Sequence, residues 1–127
     1  MLQSGTILKI IDNSGAKTAI CIKVNKGFRK RYAKCGDLVT VSVKTLRAKR
    51  RATVNVKKGE ICKALIVRTK INKIFISGES FNFLENSAVL FNRQKKMLFT
   101  RIFGSLPKFI RSTKFMRIIS MSSGLVY

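Results

Sequence analysis

The 127-residue chain carries 27 Lys and Arg against 5 Asp and Glu, a formal net charge of +22. Such an excess of like charge opposes folding by self-repulsion, so we expect a polyanionic partner. Hydrophobic residues make up 46% of the chain, which is too apolar for a disordered basic tail and suits one compact domain. The sequence contains no His, the commonest general base and metal ligand. We therefore expect neither an enzyme nor a bound cofactor.

No apolar run approaches the roughly 18 residues of a membrane-spanning helix. Residues 1–8 contain no basic residue, so we expect neither a secretory signal nor an Arg-rich presequence. The three cysteines, Cys21, Cys35 and Cys62, are odd in number and form no CxxC pair. This spacing disfavours a disulfide framework or a zinc site and indicates small buried hydrophobes in a reducing compartment.

Five short segments have the composition of β-strands, with turn-forming residues between them. They are residues 6–11, 19–24, 38–44, 61–69 and 87–92. The third alternates strictly, with Val39, Val41 and Val43 on one face, as in a half-buried strand. Residues 75–83, interrupted by Ser-Gly-Glu, indicate a weaker hairpin. Strands at this spacing predict a mainly β fold with a closed or sandwiched antiparallel sheet.

The pattern changes near Gly104. Ser105 followed by Leu-Pro has the composition of a helix start, with Ser as N-cap and Pro in the first turn. A second start precedes residues 114–121, where Phe115, Ile118 and Ile119 share one helical face. We therefore predict two short C-terminal helices packed on the sheet. Their apolar face is explained if the helices pack on the sheet. The alternative is that this face forms a groove for a separate partner.

Basic residues gather between the predicted strands. Residues 26–34 contain five of them together with Phe28 and Tyr32, and residues 44–58 contain seven more. Arg guanidinium groups fork across phosphate oxygens and Lys acts as a point charge, so both segments are expected to contact RNA phosphates. Solvated loops are the alternative. Phe28 and Tyr32 either stack on unpaired bases or anchor the loop to the core.

Other classes of function lack support in the sequence. A cold-shock-type RNA chaperone would need exposed stacking aromatics on its strands. A small nuclease would need His or paired carboxylates, and the five acidic residues are far apart. Asp12, ahead of Asn-Ser-Gly, is explained by an Asx-turn. A membrane-active cationic protein would need a longer amphipathic helix than residues 114–121 provide.

A series of short motifs resembles one protein family along essentially the whole chain. In chain order they are residues 12–16 (DNSGA), 21–24 (CIKV), 31–33 (RYA), 36–37 (GD), 56–59 (VKKG), 63–64 (KA), 67–70 (VRTK), 100–104 (TRIFG), 111–112 (RS), 114–116 (KFM) and 118–120 (IIS). Each motif is weak alone, but their order and spacing are specific. The chain resembles the universal large-subunit ribosomal protein fourteen family in its bacterial or organellar form.

The resemblance implies a single domain over residues 1–127. It consists of a small five-stranded antiparallel barrel over residues 1–104, a projecting basic ribbon at about 44–58, and a helical extension over residues 105–127. It also implies a structural role in translation, with large-subunit rRNA bound near the subunit interface. Small-subunit rRNA would be contacted through an intersubunit bridge. Ribosomal proteins three and nineteen and a ribosome silencing factor are the implied protein partners.

The basic segments and the resemblance together predict two sets of contact residues. The rRNA-binding set is Asn13, Ser14, Lys17, Lys23, Arg29, Lys30, Arg31, Lys44, Arg47, Lys49, Arg50, Arg51, Lys57, Lys58, Arg68 and Lys70. The protein-contact set is Phe75, Thr100, Arg101, Lys114, Phe115, Met116, Arg117 and Ser120.

Several positions depart from the family pattern. Residues 46–54 are longer than usual and lack a Pro-Arg-Gly tip. Residues 71–78, usually strongly basic, are largely apolar here, which indicates a protein neighbour in place of RNA. Abundant Phe, Ile and Lys with no Trp are typical of an AT-rich organelle genome. We therefore expect a mitochondrially encoded protein of the matrix ribosome, with a plastid or the bacterial cytoplasm as the alternative.

Overall fold

A computed structural model describes residues 1–48, 55–112 and 114–126. The tip of the predicted ribbon, with Lys49, Arg50 and Arg51, lies outside the described residues. The strands are β1 (Ile7–Ile10), β2 (Ala16–Val24), β3 (Leu38–Leu46), β4 (Ile61–Arg68), β5 (Lys73–Ile74), β6 (Ser80–Phe81), β7 (Ser87–Phe91), β8 (Ile102–Pro107) and β9 (Ser122–Val126). A 3-10 helix covers Lys108–Ser112, and one α-helical turn, α1, covers Arg117–Ser120.

Five strands close into a barrel in the order β1-β2-β3-β4-β7. All neighbours run antiparallel except β1 and β7, which pair in parallel, with Lys9 opposite Ser87. The expectation of a fully antiparallel barrel is therefore wrong. Strand directions cannot alternate around a closed ring with an odd number of members, so one parallel pair is unavoidable. The five predicted strands themselves are confirmed.

The barrel interior is filled by inward side chains that alternate along each strand. Val39, Val41 and Val43 are fully buried there, as their spacing predicts. Cys21 on β2 and Cys62 on β4 lie on either side of Val41 in the strand register, and both are buried free thiols. These two cysteines thus act as small core residues.

A second apolar cluster covers the outside of one half of the barrel. Leu65 and Val67 of β4 and Val89 of β7 pack against residues from the C-terminal part of the chain, including Ile102 and Ile118. This is why every residue of β7 is buried: the strand has the barrel interior on one side and this cluster on the other. We call the covering segment, residues 97–112 and 114–126, the C-terminal layer.

The C-terminal layer corrects the prediction of two helices. Residues 102–107 form β8, which pairs in parallel with β9, so the expected helix start at Ser105 is wrong. Pro107 is the last residue of β8, and as a strand in a two-stranded sheet β8 is an edge strand, the kind in which Pro is tolerated. The single α-helical turn buries Ile118, and Phe115 packs on the same cluster. Residues 114–121 thus dock on the body, as one of the two interpretations predicted.

The weak hairpin expected at residues 75–83 is present two residues earlier, where β5 and β6 pair around a turn at residues 75–79. Among the described residues, no helix is long and apolar enough to cross a membrane.

Candidate nucleic-acid interface

The loop at residues 25–37, here called the basic loop, joins β2 to β3 and is fastened at its base. Lys26 Nζ lies 2.8 Å from Asp37 Oδ2, and the backbone N–H of Lys34 donates to the same oxygen at 2.7 Å. Ala33 is buried and exchanges two backbone hydrogen bonds with Leu2. The loop is therefore held by bonds and apolar packing that leave its basic tip exposed.

The tip of the basic loop presents Arg29, Lys30 and Arg31 to solvent. Together with Lys23 from β2, these residues line an open hollow of about 540 Å³. Arg29 adopts a positive φ of 58°, which turns the chain at the tip. A hollow lined by four cations has the charge that a phosphate group requires.

The aromatic residues of the basic loop also face outward. Phe28 is 87% exposed and Tyr32 is 51% exposed. The Arg29 guanidinium lies 5.2 Å from the centre of the Phe28 ring. The interpretation that Phe28 anchors the loop to the core is therefore wrong, because Leu2 and Ala33 do so instead. An exposed ring beside a guanidinium is a platform on which an unpaired base can stack.

The outer faces of β2 and of β3 after Leu38, which packs against the second cluster, form an open wall that the C-terminal layer does not cover. Lys17, Lys23 and Lys44 stand exposed on this wall. Small polar side chains join the two strands there: Thr18 and Thr45 are hydrogen-bonded at 2.6 Å, and Asn25 donates to Thr40 at 2.8 Å. The wall is therefore basic and hydroxyl-rich.

The turn before β4 adds a further basic pair. Lys57 and Lys58 are exposed, and the backbone N–H of Lys57 donates to Glu60 Oε2 at 2.9 Å. Asn55 ties the described base of the ribbon to the body by donating from its side chain to the carbonyl of Leu98 at 2.9 Å. The two lysines thus project from a fixed turn.

Other residues of the predicted rRNA-binding set bind within the protein. The Ser14 hydroxyl is buried and donates to Asp12 Oδ1, and Arg47 donates to the carbonyl of Ile10 at 2.9 Å. Arg68 donates to the carbonyls of Ser105 and Phe103 at 2.9 and 3.0 Å. These side chains hold the fold together. Lys70, by contrast, is exposed.

Asn13, of the rRNA-binding set, is bonded to two residues of the protein-contact set. Its side-chain amide donates to Thr100 Oγ1 at 2.8 Å, and its Oδ1 accepts from the backbone N–H groups of Thr100 and Arg101 at 2.9 and 3.2 Å. The two predicted surfaces therefore meet at Asn13. Thr100 and Arg101 are themselves exposed.

Asp12 lies beneath this junction and is completely buried. Oδ1 accepts from the Ser14 backbone N–H at 3.0 Å, and Oδ2 accepts from that of Leu90 at 2.7 Å. The first bond is the predicted Asx-turn. Burial raises the pKa of Asp12, against the lowering effect of these bonds. Its oxygens are occupied within the protein.

The rest of the protein-contact set divides between surface and interior. Lys114, Met116, Arg117 and Ser120 are exposed on the C-terminal layer. Phe115 is half-buried, with its ring centre 5.5 Å from that of Phe91.

Phe75 of the protein-contact set is also half-buried, and its ring stacks on Phe81 at 5.5 Å. Its chain neighbours Ile74 and Ile76 face solvent instead; both lie in the apolar segment 71–78 for which the sequence predicts a protein neighbour, but neither is in the protein-contact set. The alternation of side chains along a strand was the available signal, since a residue between two outward neighbours points inward.

The described residues contain no cluster of three or more His, Cys, Asp or Glu that could hold a metal ion. Cys35 donates from its thiol to the carbonyl of Val67, and burial raises its pKa to about 12.

A family model described as ribosomal protein L14p/L23e matches residues 1–126. The match covers all described strands and the C-terminal layer. The L14p/L23e family is structural and non-enzymatic. The chain therefore belongs to the ribosomal protein L14p/L23e family, and as a member it is a structural constituent of the large ribosomal subunit that binds rRNA.

Proposed function

We propose that the open wall and the basic loop form the rRNA-binding surface. The exposed cations on this side and the adjoining turns support the proposal: Lys17, Lys23, Arg29, Lys30, Arg31, Lys44, Lys57, Lys58 and Lys70. The observation that carries it is the uneven cover of the barrel, since the C-terminal layer protects β4 and β7 and leaves β2 and most of β3 open. Lys49, Arg50 and Arg51 join this surface on the strength of the sequence alone.

Shape and phosphate position govern recognition in this proposal. Lysines at scattered strand positions carry no pattern that reads base edges, and a fixed wall of cations suits the backbone of folded RNA. Counterion release makes such binding steeply salt-dependent. The exposed Phe28 ring adds one stacking position for an unpaired base.

We further propose that the C-terminal layer faces the subunit interface and contributes to an intersubunit bridge with small-subunit rRNA. Thr100, Arg101, Lys114, Met116, Arg117 and Ser120 would supply this surface and the contacts to ribosomal proteins three and nineteen and to a silencing factor. Their exposure beside a packed apolar cluster supports this role, because packing of the segment on the barrel holds these side chains at the surface. We place the ribosome in the mitochondrial matrix on compositional grounds.

Tethered cleavage tests both surfaces. Cys21 and Cys62 are buried, and the raised pKa of Cys35, about 12, leaves almost no thiolate at neutral pH. An introduced surface cysteine therefore reacts selectively with an iron chelate that generates hydroxyl radicals. Lys30→Cys samples the basic loop, and Arg117→Cys samples the C-terminal layer.

Large subunits that contain the Lys30→Cys chain should show cuts in large-subunit rRNA. Joined ribosomes that contain the Arg117→Cys chain should also show cuts in small-subunit rRNA. Cuts from position 30 that miss large-subunit rRNA would refute the proposed RNA face. If position 117 never cuts small-subunit rRNA, the bridge proposal fails.

A further inference from the structure

The segment at residues 71–84, here called the apolar hairpin, exposes large aliphatic side chains. Ile76 is fully exposed, Leu84 is 94% exposed and Ile74 is 73% exposed. Isolated surface aliphatics are common, but several in one short hairpin form a patch of the kind that marks an interaction site. The barrel does not need them, because its core contains no residue of the hairpin.

Aromatic side chains fasten the hairpin to the C-terminal layer. The rings of Phe75 and Phe81 stack with centres 5.5 Å apart, and Phe81 lies 6.3 Å from Phe109 of the 3-10 helix. Lys73 Nζ sits 3.0 Å from the centre of the Phe109 ring. Because these contacts fix the backbone beneath, the outward aliphatic side chains are presented in a set arrangement. A preorganised patch loses little conformational entropy on binding.

The apolar hairpin lacks the excess of positive charge found in the rest of the chain, since it contains one basic residue, Lys73, and one acidic residue, Glu79. No Lys or Arg occurs between Lys73 and Arg93, whereas Glu79 and Glu85 both lie there. Glu85 is paired with Lys9 at 2.8 Å. Glu79 is exposed and forms no ion pair with any described residue. An RNA backbone would meet apolar side chains and the Glu79 carboxylate, which disfavours RNA as the occupant.

A shallow hollow of about 510 Å³ opens at the hairpin tip. Its lining is largely apolar, with Phe75, Ile76 and Phe109, and Glu79 and Lys108 supply its charges. This volume accommodates an aliphatic or aromatic side chain, and Glu79 is positioned to meet a cation beside it.

We propose that the apolar hairpin is a docking site for a basic protein segment, whose apolar side chain enters this hollow while a neighbouring Lys or Arg pairs with Glu79. The choice of a protein follows from the apolar lining, and the choice of a basic one follows from the Glu79 carboxylate, which forms no ion pair with a described residue even though Lys108 lines the same hollow. The inference rests on the proposed function only in that the partner is sought within the large ribosomal subunit, where rRNA-binding proteins carry such charge.

Photo-crosslinking of the full chain tests the proposal. p-Benzoylphenylalanine is placed at position 76 in one chain and at position 28 of the basic loop in a second, matched chain. After irradiation, adducts are analysed both in total extract and in gradient-purified large subunits. We expect position 76 to give a nuclease-resistant adduct with one protein, through a peptide in which Lys or Arg adjoins an apolar residue. Position 28 should give a nuclease-sensitive adduct.

Four outcomes would overturn the inference: a nuclease-sensitive adduct at position 76, an adduct with a second copy of this chain, an adduct with lipid, or no adduct in subunits that contain the chain. A basic-protein adduct formed by a chain that never enters large subunits would refute the proposed function alone. The two proposals therefore fail separately.

Affinity measurements with the purified partner then test the two halves of the site. Ile76→Ser and Glu79→Lys should each weaken binding roughly tenfold, as loss of an anchor residue or of a charge pair does. Ile22→Ser removes a half-exposed aliphatic side chain from β2 and should leave the affinity unchanged. Equal affinities for all three variants would refute the hollow and Glu79 as the contact.

Discussion

The Arg68 guanidinium occupies the space in which a side chain at Gly104 would stand. A Cβ built on Gly104 would lie 2.1 Å from Arg68 Nη2. Arg68 reaches from β4 to the carbonyls on either side of that glycine, those of Phe103 and Ser105, and its side chain is only 12% exposed. One arginine thus fastens β8 to the barrel wall, and the glycine makes the approach possible.

Gly104→Ala should therefore destabilise the fold by two effects. Gly104 has a φ of 83°, which an Ala tolerates at a cost of about 1 kcal/mol, and the added methyl displaces a guanidinium that donates several hydrogen bonds. We expect a loss of about 2–4 kcal/mol in the free energy of unfolding, measured by urea denaturation. Gly59→Ala is the matched control, because its φ of 81° is nearly the same but the space around it is open. Equal losses in the two variants would contradict a fixed position for Arg68.

Glu85 should make stability depend on acid pH. The hydrogen bond from Lys9 is the largest of the effects that lower the pKa of Glu85 below its ordinary value of 4.5. The contribution of this carboxylate to the stability of the fold is therefore fully present above about pH 4.5, and it is lost as the pH falls through the folded-state pKa.

The test compares the native chain with Glu85→Gln by urea denaturation across this range. The difference in unfolding free energy should be largest near neutral pH and should shrink in acid. Asp12, whose pKa is raised, changes the stability with pH in the direction opposite to Glu85. It does so equally in both proteins, so its effect cancels in the comparison. A difference that stays constant with pH would contradict the pairing of Glu85 with Lys9.

Asp12→Asn should destabilise the barrel even though it removes only a buried charge. The carboxylate accepts from the backbone N–H groups of Ser14 and Leu90 on separate oxygens. In Asn one oxygen still accepts, but the NH2 group that replaces the other oxygen faces a backbone N–H, so that N–H and the buried NH2 group are both left unsatisfied. We expect a loss of about 2–3 kcal/mol on thermal or urea unfolding. Glu79→Gln changes the net charge equally at an exposed position and should stay within about 0.5 kcal/mol of the native chain.

The barrel strands were predictable because the information that specifies them is local. Alternating residues such as Val39, Val41 and Val43 lie within one segment, and turn formers separate the segments. The pairing of β8 with β9 was not predictable, because Ile102 and Ser122 are separated by nineteen residues that include a helical turn. Local signals around Ser105 favoured a helix, and the long-range pairing overrode them.

The site residues divide in a similar way. An exposed basic wall follows from charge and alternation, and Lys17, Lys23 and Lys44 lie where the strand period predicts. The inward roles of Arg47 and Arg68 do not follow from residue type. A guanidinium bonds to RNA or to its own chain depending on whether a carbonyl of another segment lies within reach, and only the tertiary fold determines that.

Removal of two charges from the basic loop should change the salt dependence of RNA binding. Lys30 and Arg31 both line the hollow beside Lys23, so the pair Lys30→Ser and Arg31→Ser removes two expected phosphate contacts. The slope of log affinity against log salt should fall in magnitude by roughly 1.4–1.8. Lys108→Ser with Arg111→Ser removes the same charge from the C-terminal layer and should leave the slope nearly unchanged. A common slope for both pairs would indicate non-specific attraction to the whole molecule.

Phe28→Ala distinguishes a stacking role from an anchoring role. Loss of a stacking ring lowers the affinity for RNA and leaves the thermal midpoint unchanged, whereas loss of an anchoring ring lowers the midpoint and leaves the affinity unchanged. The ring is 87% exposed and makes no contact with the apolar clusters, so its loss should leave the thermal midpoint of unfolding unchanged. A base stacked on it contributes about 1–3 kcal/mol, so affinity for large-subunit rRNA should fall by roughly 5- to 150-fold. Leu84→Ala, an equally exposed apolar truncation on the apolar hairpin, should change neither quantity. A lowered midpoint with unchanged affinity would restore the anchoring role, because only a ring that packs in the folded chain can stabilise it.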